Sequence, residues 1–256
     1  MNPSNNISEI LKNVELFTDV SPSQAEIVIT RYSESLEWTK DIAHLCTVYN
    51  KGPTPLPSYF FNKVIATPNN GLGIETILRH IILNYDSLAL TTFFCQGTLA
   101  DRIDQPLYPL EWYLLNQSAT DFKGLEDNLN ESPNYRIIEK VADNQVCQAI
   151  EGRTFGTFRK EVVGISYRQG IDRWVRGDWF SIGRDRIRAK PIQYYMGLYM
   201  RCQFHRGIAV EELWYLERSY HSTFNRPIDP LFKFIPPESK QKELMEYLQN
   251  SPASNK

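Results

Sequence analysis

The chain has 256 residues, a length that predicts one large domain rather than two small ones. Hydrophobic residues make up 42% of it and charged residues 23%, a composition that is typical of a globular protein and excludes wholesale disorder. The formal net charge is -2, so the bulk charge gives no sign of a general affinity for nucleic acid or for an anionic membrane.

The first part of the chain is expected to form a leader over residues 1–24, ahead of the folded domain. Residues 1–15 are polar and rich in Asn and Ser, and they lack the apolar core of a signal peptide. A short helix is predicted over 7–17. No run approaches the length of about 18 apolar residues that a membrane span requires, so no membrane span is expected.

Apolar segments with the periods of strands and helices alternate up to residue 95. The segment 73–85 predicts the clearest helix, because its isoleucines and leucines recur at i, i+3, i+4, i+7 and i+8. Strands are predicted over 26–32, 46–49, 63–67 and 90–95, and helices over 34–45 and 73–85. This alternation predicts an α/β fold with a mostly parallel central sheet flanked by helices.

The second half of the chain is less regular. Residues 98–172 are polar, and we expect an inserted middle segment there, a lid over the sheet that covers the substrate, with a strand over 135–142. A strand over 174–182, an Arg-rich helix start, and helices over 191–204 and 209–220 follow. From Pro236 the chain is charged and polar, which predicts a tail with disordered last residues. The single domain is therefore expected to run from 25 to 235.

The cysteines indicate a reducing compartment. None of them forms a C-x-x-C pair, and the histidines do not lie at zinc-ligand spacing from them. We therefore expect free thiols, no zinc site and a cytoplasmic location. The cysteines are Cys46, Cys95, Cys147 and Cys202.

Polar or flexible residues directly follow three of the predicted strands. In open parallel sheets, ligands bind in the crevice at the carboxyl ends of the strands, so these segments are the candidate binding site. The side chain of Arg31 is expected to bind a phosphate through its guanidinium fork, and the alternative is that it pairs with Glu34 or binds a neighbouring carbonyl. The candidate residues are Arg31, Tyr32 and Glu34 after the first strand, Asn50 and Lys51 after the second, and Gln96 and Gly97 after the fourth.

The segment Asn69–Gly73 precedes the clearest helix, and Asn69 and Gly71 are added to the candidate site. Glycines allow close backbone approach, and a helix N-terminus attracts anions. The spacing is not that of the dinucleotide-binding fingerprint. Glu75, in the first helical turn, is interpreted as a complement to the helix dipole, and His80 as a structural residue.

Aromatic and basic residues mix between 173 and 190. Aromatic faces stack on bases and sugars while arginines bind phosphates, so Trp179 and Arg184 are candidate binding residues. The alternative is a core strand followed by a solvated basic helix. The basic residues of this stretch are Arg173, Arg176, Arg184, Arg186, Arg188 and Lys190.

Two adjacent carboxylates, Glu211 and Glu212, lie beside an apolar helical stripe. Only one of the two is expected to face inward, where a carboxylate in a cleft acts as general base on a hydroxyl. The alternative for either residue is a solvated surface charge.

Together these segments resemble a domain-of-unknown-function family of fungi, bacteria and large viruses with glycosyltransferase-like features of the GT-A type. Its members open with R-Y-N-E followed by W, matched here by Arg31–Glu34 and Trp38. Its Y-N-K-G is matched by Tyr49–Gly52, and its F-x-Q-G by Phe94–Gly97.

Three further family elements have counterparts in the chain. The family's N-x-G before a T-x-L-x-H-I-I-x-N-Y-D-x-L helix is matched over 69–88, and the late G-x-x-F and E-x-L-W elements are matched by Gly177, Phe180, Glu211, Leu213 and Trp214. The family has Arg-Glu directly after N-x-G, where this chain has Leu72 and Gly73, and it has Asn at the position of Ser33.

The resemblance implies a GT-A-like domain that transfers a sugar from a nucleoside diphosphate sugar to a glycan or other hydroxyl acceptor. It implies that Arg31 and the first loop hold the nucleotide, that Gln96 and Gly97 lie near the diphosphate or sugar, and that Glu211 or Glu212 is the base. The departure at Leu72 and Gly73 favours an alternative, a catalytically degenerate transferase fold that binds a glycan or a partner protein.

The metal expected of GT-A enzymes has no clear ligand set in this sequence. Such enzymes carry Asp-x-Asp after the fourth strand to hold Mn²⁺ or Mg²⁺, whereas this chain has Gln96-Gly97-Thr98, with Asp101 and Asp104 further on. Either an Arg or Lys neutralises the leaving diphosphate without metal, or Asp101 holds the ion. The first account is favoured.

Overall fold

A computed structural model describes residues 13–57, 59–100, 110–115, 117–136, 147–148, 153–201, 209–232 and 235–250. Its centre is a mixed six-stranded sheet flanked by helices, which confirms the predicted α/β class and the mostly parallel centre. No helix in these ranges is long and apolar enough to cross a membrane. Most of the strand predicted over 135–142, and the first part of the helix predicted over 7–17, lie outside the described residues.

The six-stranded sheet has the order β3-β2-β1-β4-β7-β5, and β6 pairs with β8 in a separate two-stranded ladder. The strands are β1 (Ala25–Arg31), β2 (Cys46–Asn50), β3 (Lys63–Ala66), β4 (Thr91–Gln96), β5 (Phe122–Asn128), β6 (Cys147–Gln148), β7 (Arg173–Gly183) and β8 (Ala209–Val210).

The first four strands are parallel, and β7 then runs antiparallel to both β4 and β5. At the centre, Ile27 of β1 pairs with Cys46 on one side and with Phe93 on the other. The carboxyl ends of β1, β2 and β4 therefore share one edge of the sheet, and the first half of the antiparallel β7 reaches the same edge. We refer to it as the carboxyl edge.

Helices cover both faces of the sheet. The α-helices are α1 (Leu72–Asn84), α2 (Leu110–Leu114), α3 (Phe155–Phe158), α4 (Arg184–Arg188), α5 (Ile192–Arg201), α6 (Glu211–Glu217), α7 (Tyr220–Asn225) and α8 (Glu238–Asn250). Three-residue-per-turn segments are formed by Val14–Phe17, Glu37–Leu45 and Gly97–Ala100, and a π-helical turn by Arg159–Val163.

Side-chain alternation divides the core into two layers, because successive residues of a strand point to opposite faces. On one face, Val28, Phe94 and Phe180 pack under α1 and its neighbouring helices. On the other, Ile29 and Phe93 pack against the segment Glu37–Leu45 and α2. Strands buried on both faces read as continuous apolar runs, which is why β1, β2 and β4 were predictable from the sequence.

The middle of the chain differs from the predicted insertion. Residues 122–128 form β5 and pair with β7 from Phe122 opposite Ile182 to Asn128 opposite Arg173. They extend the sheet rather than lie over it. Their polar character is that of an edge strand, since β5 has β7 on one side only in the described part of the chain.

Two helix predictions and the predicted tail are also corrected. The predicted helix over 34–45 is wound more tightly over 37–45, with i to i-3 hydrogen bonds such as Thr39 N to Leu36 O at 2.8 Å. The helix predicted over 209–220 is divided into α6 and the start of α7. The predicted polar tail contains α8, which packs on the domain because Leu244 and Leu248 lie one turn apart and are buried.

Candidate functional site

Strand alternation divides the predicted binding residues at the carboxyl edge between two clusters. Arg31 and Asn50 pair across β1 and β2 and lie on the face away from α1. Lys51, Gln96 and Asp178 lie on the α1 face, where Lys51 contacts α1 and Gln96 contacts Asp178. We call these groups the Arg31 cluster and the Asp178 cluster.

All three guanidinium nitrogens of Arg31 donate hydrogen bonds to acceptors within the protein. Its side chain is buried, and its Nε donates to Glu34 O at 2.8 Å. Its Nη1 donates to Asn50 Oδ1 at 2.7 Å and Thr54 O at 2.8 Å, and its Nη2 donates to Pro55 O at 3.0 Å. These contacts describe the carbonyl-binding alternative, in which Arg31 anchors the proline-rich loop. A phosphate would have to displace these acceptors.

Lys51 is engaged in the same way on the other face. Its Nζ donates to Asn70 O and Leu72 O, both at 2.6 Å, and to Glu75 Oε2 at 3.0 Å. Burial lowers the pKa of Lys51, against the opposing effect of Glu75. The contacts hold the turn at the start of α1, where Gly71 has φ 60° and Leu72 has φ 54°. A positive φ at leucine is unfavourable, so the lysine stabilises a strained turn.

A buried ionic network under the start of α1 explains Glu75. Its carboxylate accepts from Lys51, from Arg79 Nε at 2.7 Å and from the Tyr199 hydroxyl at 2.8 Å. Burial works to raise the pKa of Glu75, but the charges of Lys51 and Arg79 outweigh it and the pKa is lowered. Arg79 also donates to Leu248 O of α8 at 2.7 Å. Glu75 is therefore a structural anchor rather than a surface complement to the helix dipole.

Asp178 is the residue of this edge that the sequence did not indicate. It is 4% exposed, and its Oδ2 accepts from Gln96 Nε2 at 3.0 Å. The carboxylate lies directly against Gly73, where any Cβ would overlap Asp178 Oδ2. It therefore lies at the start of α1, the end of the helix that carries partial positive charge. This contact also explains the glycine at position 73, because only glycine leaves room for the carboxylate.

The loops after β1 and β4 meet beside the Asp178 cluster. Glu34 Oε2 accepts from Tyr32 N at 2.6 Å and Ser33 N at 3.0 Å, and a Cβ on Gly97 would lie 3.0 Å from Glu34 Cβ. Trp38 Nε1 donates to Gly97 O at 3.4 Å. The Tyr32 side chain is exposed, with a relative accessibility of 47%, so its ring is available for stacking.

Of the other predicted site residues, one lies near the carboxyl edge and two lie elsewhere in the fold. Asn69 is half-buried in the turn before α1, where Gly71 forms the helix N-cap. Trp179 is buried on the face away from α1, in the layer of Phe93. Arg184 follows Gly183, which pairs with Thr91 at the opposite edge of the sheet. Trp179 therefore belongs to the core, and Arg184 does not join the crevice.

Glu211 and Glu212 are both buried, which corrects the expectation that only one faces inward and excludes the solvated alternative for either. Arg136 binds Glu211 through Nε to Oε1 at 2.9 Å and Nη2 to Oε2 at 2.7 Å. Tyr215 donates to Glu211 Oε1 at 2.6 Å, and Arg153 binds Glu212. Charge-assisted hydrogen bonds of this kind engage both carboxylates within the protein.

A metal centre built from protein ligands alone is not found in the described ranges, where no group of three or more His, Cys, Asp and Glu side chains comes together. Asp101 lies outside the described residues. Two carboxylates nevertheless flank the Gln96–Gly97 segment, Asp178 on the side of Gln96 and Glu34 on the side of Gly97. Of the two, Asp178 lies beside the Gln96 amide, and this pair suits Mg²⁺ or Mn²⁺ only when phosphate oxygens of a substrate complete the shell.

Comparison with protein-family models, with curated proteins and with solved structures finds no match to this chain. The family resemblance of its motifs therefore stays a prediction.

Proposed function

We propose that this chain is a glycosyltransferase that transfers a sugar from a nucleoside diphosphate sugar to a hydroxyl of a glycan or other acceptor. The observation that carries the proposal is the meeting of Asp178 and Gln96 with the start of α1, at the sheet edge that also carries Glu34 and the exposed ring of Tyr32. Ligands of open α/β sheets bind at this edge, and the resemblance of the motifs points to the same chemistry.

Tyr32 and Glu34 have the roles nearest the substrate. The exposed ring of Tyr32 stacks on the base or on the sugar. Glu34 is half-buried, and the backbone N–H groups of Tyr32 and Ser33 both donate to its Oε2. Its Oε1 has no hydrogen-bond partner within the described part of the chain. Glu34 therefore replaces Glu211 and Glu212 as the proposed general base for the acceptor hydroxyl.

The donor's diphosphate requires a positive partner. Arg31 and Lys51 already donate to protein oxygens, so the account in which they neutralise the diphosphate loses its support. Asp178 and Gln96 would instead hold Mn²⁺ or Mg²⁺ together with the diphosphate. The ion, when bound, neutralises charge on the leaving diphosphate.

The proposal is tested by calorimetry with uridine and guanosine diphosphate sugars, with and without Mn²⁺. We expect donor binding that Mn²⁺ strengthens and that Asp178→Asn weakens by about tenfold or more, as loss of a charged contact does. Glu34→Gln should keep donor binding and lower sugar transfer by roughly 100-fold or more. Glu37→Gln, an exposed carboxylate three residues away, is the matched control. Absence of donor binding by the folded wild type, with and without Mn²⁺, would overturn the proposal.

A second function, binding of a glycan or a partner protein without transfer, is favoured by one observation. Arg31, Lys51, Glu211 and Glu212 are all engaged within the protein. Donor hydrolysis that is present in the wild type and lost in Glu34→Gln rejects this alternative. Glycan binding without any donor hydrolysis supports it.

A further inference from the structure

A pocket of about 450 Å³ lies between α4 and the end of α7. Helix α4 begins directly after β7, whose last residue, Gly183, pairs with Thr91 at the start of β4. The pocket therefore lies toward the edge of the sheet opposite Asp178 and is separate from the proposed transferase crevice. It contains part of the basic stretch that the proposed function leaves unused.

Three basic residues line the pocket, and none of the described residues that line it carries a carboxylate. Arg226 forms an ion pair outside the pocket with Asp172, Nη1 to Oδ1 at 2.9 Å, and shares that carboxylate with the buried Arg159. Arg186 and Lys190 have no ion pair within the described ranges, and Arg186 uses its Nε for Thr120 O. The pKa of Asp121 is lowered mainly by its hydrogen bond with the Ser118 backbone and to a smaller extent by the charge of Arg186, although Asp121 and Arg186 form no ion pair. The charges of Arg186 and Lys190 thus have no carboxylate partner in the described part of the chain, and Lys190 Nζ lies 5.8 Å from the centroid of the Tyr194 ring.

Lys190 is the more unusual of the two. Lys190 is only 4% exposed. In the described part of the protein its ammonium makes a single hydrogen bond, to Arg226 O at 2.9 Å. Burial, with a contribution from Arg186, lowers the pKa of Lys190 to about 8. A buried ammonium without a carboxylate is costly, so an anion placed beside it would offset an existing penalty.

The rest of the wall is apolar. Phe224 and Ile228 line the pocket together with Pro227 and Ala189. The volume lies within the range of small-molecule sites, roughly 300–1,000 Å³. An inorganic ion would leave this apolar surface unused, whereas an organic molecule with one anionic end would contact both parts.

We propose that this pocket binds a small phosphorylated organic molecule, with its phosphate between Arg186 and Lys190 and its apolar part against Phe224 and Ile228. A phosphate dianion matches the two uncompensated charges, and guanidinium and ammonium groups are the usual phosphate donors in proteins. The inference does not depend on sugar transfer, since no residue of the carboxyl edge takes part.

Calorimetry with phenyl phosphate, inorganic phosphate and phenol tests the proposal. We expect phenyl phosphate to bind best, inorganic phosphate more weakly, and phenol not measurably. Arg186→Gln and Lys190→Met should each weaken phenyl phosphate binding by about tenfold or more. Arg188→Gln removes the same charge from an exposed position of α4 outside the pocket wall and should change the affinity by less than about threefold.

Four outcomes would overturn the assignment. They are no binding of phenyl phosphate to the folded wild type, equal affinity in all three variants, equal affinity for inorganic phosphate and phenyl phosphate, and loss of binding in Asp178→Asn. The last would place the ligand in the transferase crevice. Melting curves of each variant establish that it is folded, and Arg186→Gln, at a half-exposed position, provides the test if Lys190→Met does not fold.

Discussion

Both edges of the sheet carry basic side chains, but the positive charges of these side chains are compensated differently at the two edges. At the carboxyl edge, Lys51 and Arg79 surround the buried carboxylate of Glu75, and each cation has protein oxygens as partners. At the opposite edge, Arg186 and Lys190 face a pocket without a carboxylate among the described residues of its wall. Charge at the first edge is therefore part of the framework, whereas charge at the second is in excess and open to a ligand.

The largest effect expected from this difference is at Glu75. Glu75→Gln keeps the side-chain size but leaves Lys51 and Arg79 buried without a carboxylate. Removing one partner of a buried ion pair costs about 3–5 kcal/mol, and we expect a loss of that order in the free energy of unfolding. Urea denaturation measures it. The exposed Glu37→Gln should change the free energy by less than about 0.5 kcal/mol, and an equally small loss at Glu75 would contradict the framework role.

The next effect tests the contact between Asp178 and α1. Gly73→Ala adds a Cβ that would overlap Asp178 Oδ2, so the carboxylate or the helix start must move. Overpacking of this kind costs about 1–3 kcal/mol. The same substitution in an Asp178→Ala background should cost clearly less, because the overlapping carboxylate is gone. Equal costs in the two backgrounds, measured as a double-mutant cycle, would show that Asp178 does not occupy this place.

The opposite edge should respond in the other direction. Lys190→Met replaces an uncompensated buried ammonium by an apolar side chain of similar length, so the variant should gain about 1 kcal/mol of stability at pH 7. Glu75→Gln and Lys190→Met each remove one charge, yet the first destabilises and the second stabilises. A loss of stability in Lys190→Met would mean that Lys190 is better compensated than the described residues indicate.

The gain in Lys190→Met should also depend on pH. Below about pH 8, Lys190 is charged in both the folded and the unfolded wild type, and the penalty of burial is present in full. Between about pH 8 and the ordinary lysine value near 10.5, the folded state releases the proton while the unfolded state keeps it. The wild type then gains stability with rising pH relative to the variant, and the difference between the two should shrink across this window in paired urea titrations.

The strands and helices that the sequence predicted are those set by residues close together in the chain. The parallel strands and α1 were predicted because an apolar run or a helical period is a local signal, as in Ile74 to Ile82. The end of α8 could have been found the same way from Leu244 and Leu248, but the charged and polar residues that precede them over 238–243 concealed it.

Asp178 could not be found locally. Its place opposite the end of β4 depends on the pairing of β7 with a strand some eighty positions earlier in the chain, as in Phe94 with Phe180. In the sequence it is a carboxylate after Gly177 in a strand that also carries Arg173 and Arg176, so residue type does not single it out. The partners of Glu211 and Glu212, Arg136 and Arg153, are also distant in sequence, by 75 and 59 positions. Strand pairing and ion pairing are set by residues far apart in the chain, so residue type alone predicted an edge of the sheet but not which side chains meet there.

The smallest expected effects are on donor-sugar affinity, and they distinguish the two edges without a large change in stability. Arg184 lies at the opposite edge, and Arg184→Gln should leave both donor-sugar affinity and stability unchanged, the latter within about 0.5 kcal/mol. Tyr32→Ala, equally mild for the fold because the ring is exposed, should weaken donor binding by about 2- to 10-fold through lost stacking. Calorimetry with the same donor sugar measures both. If Arg184→Gln weakened donor binding as much as Tyr32→Ala, the donor would extend between the two edges, and their separation into two sites would fail.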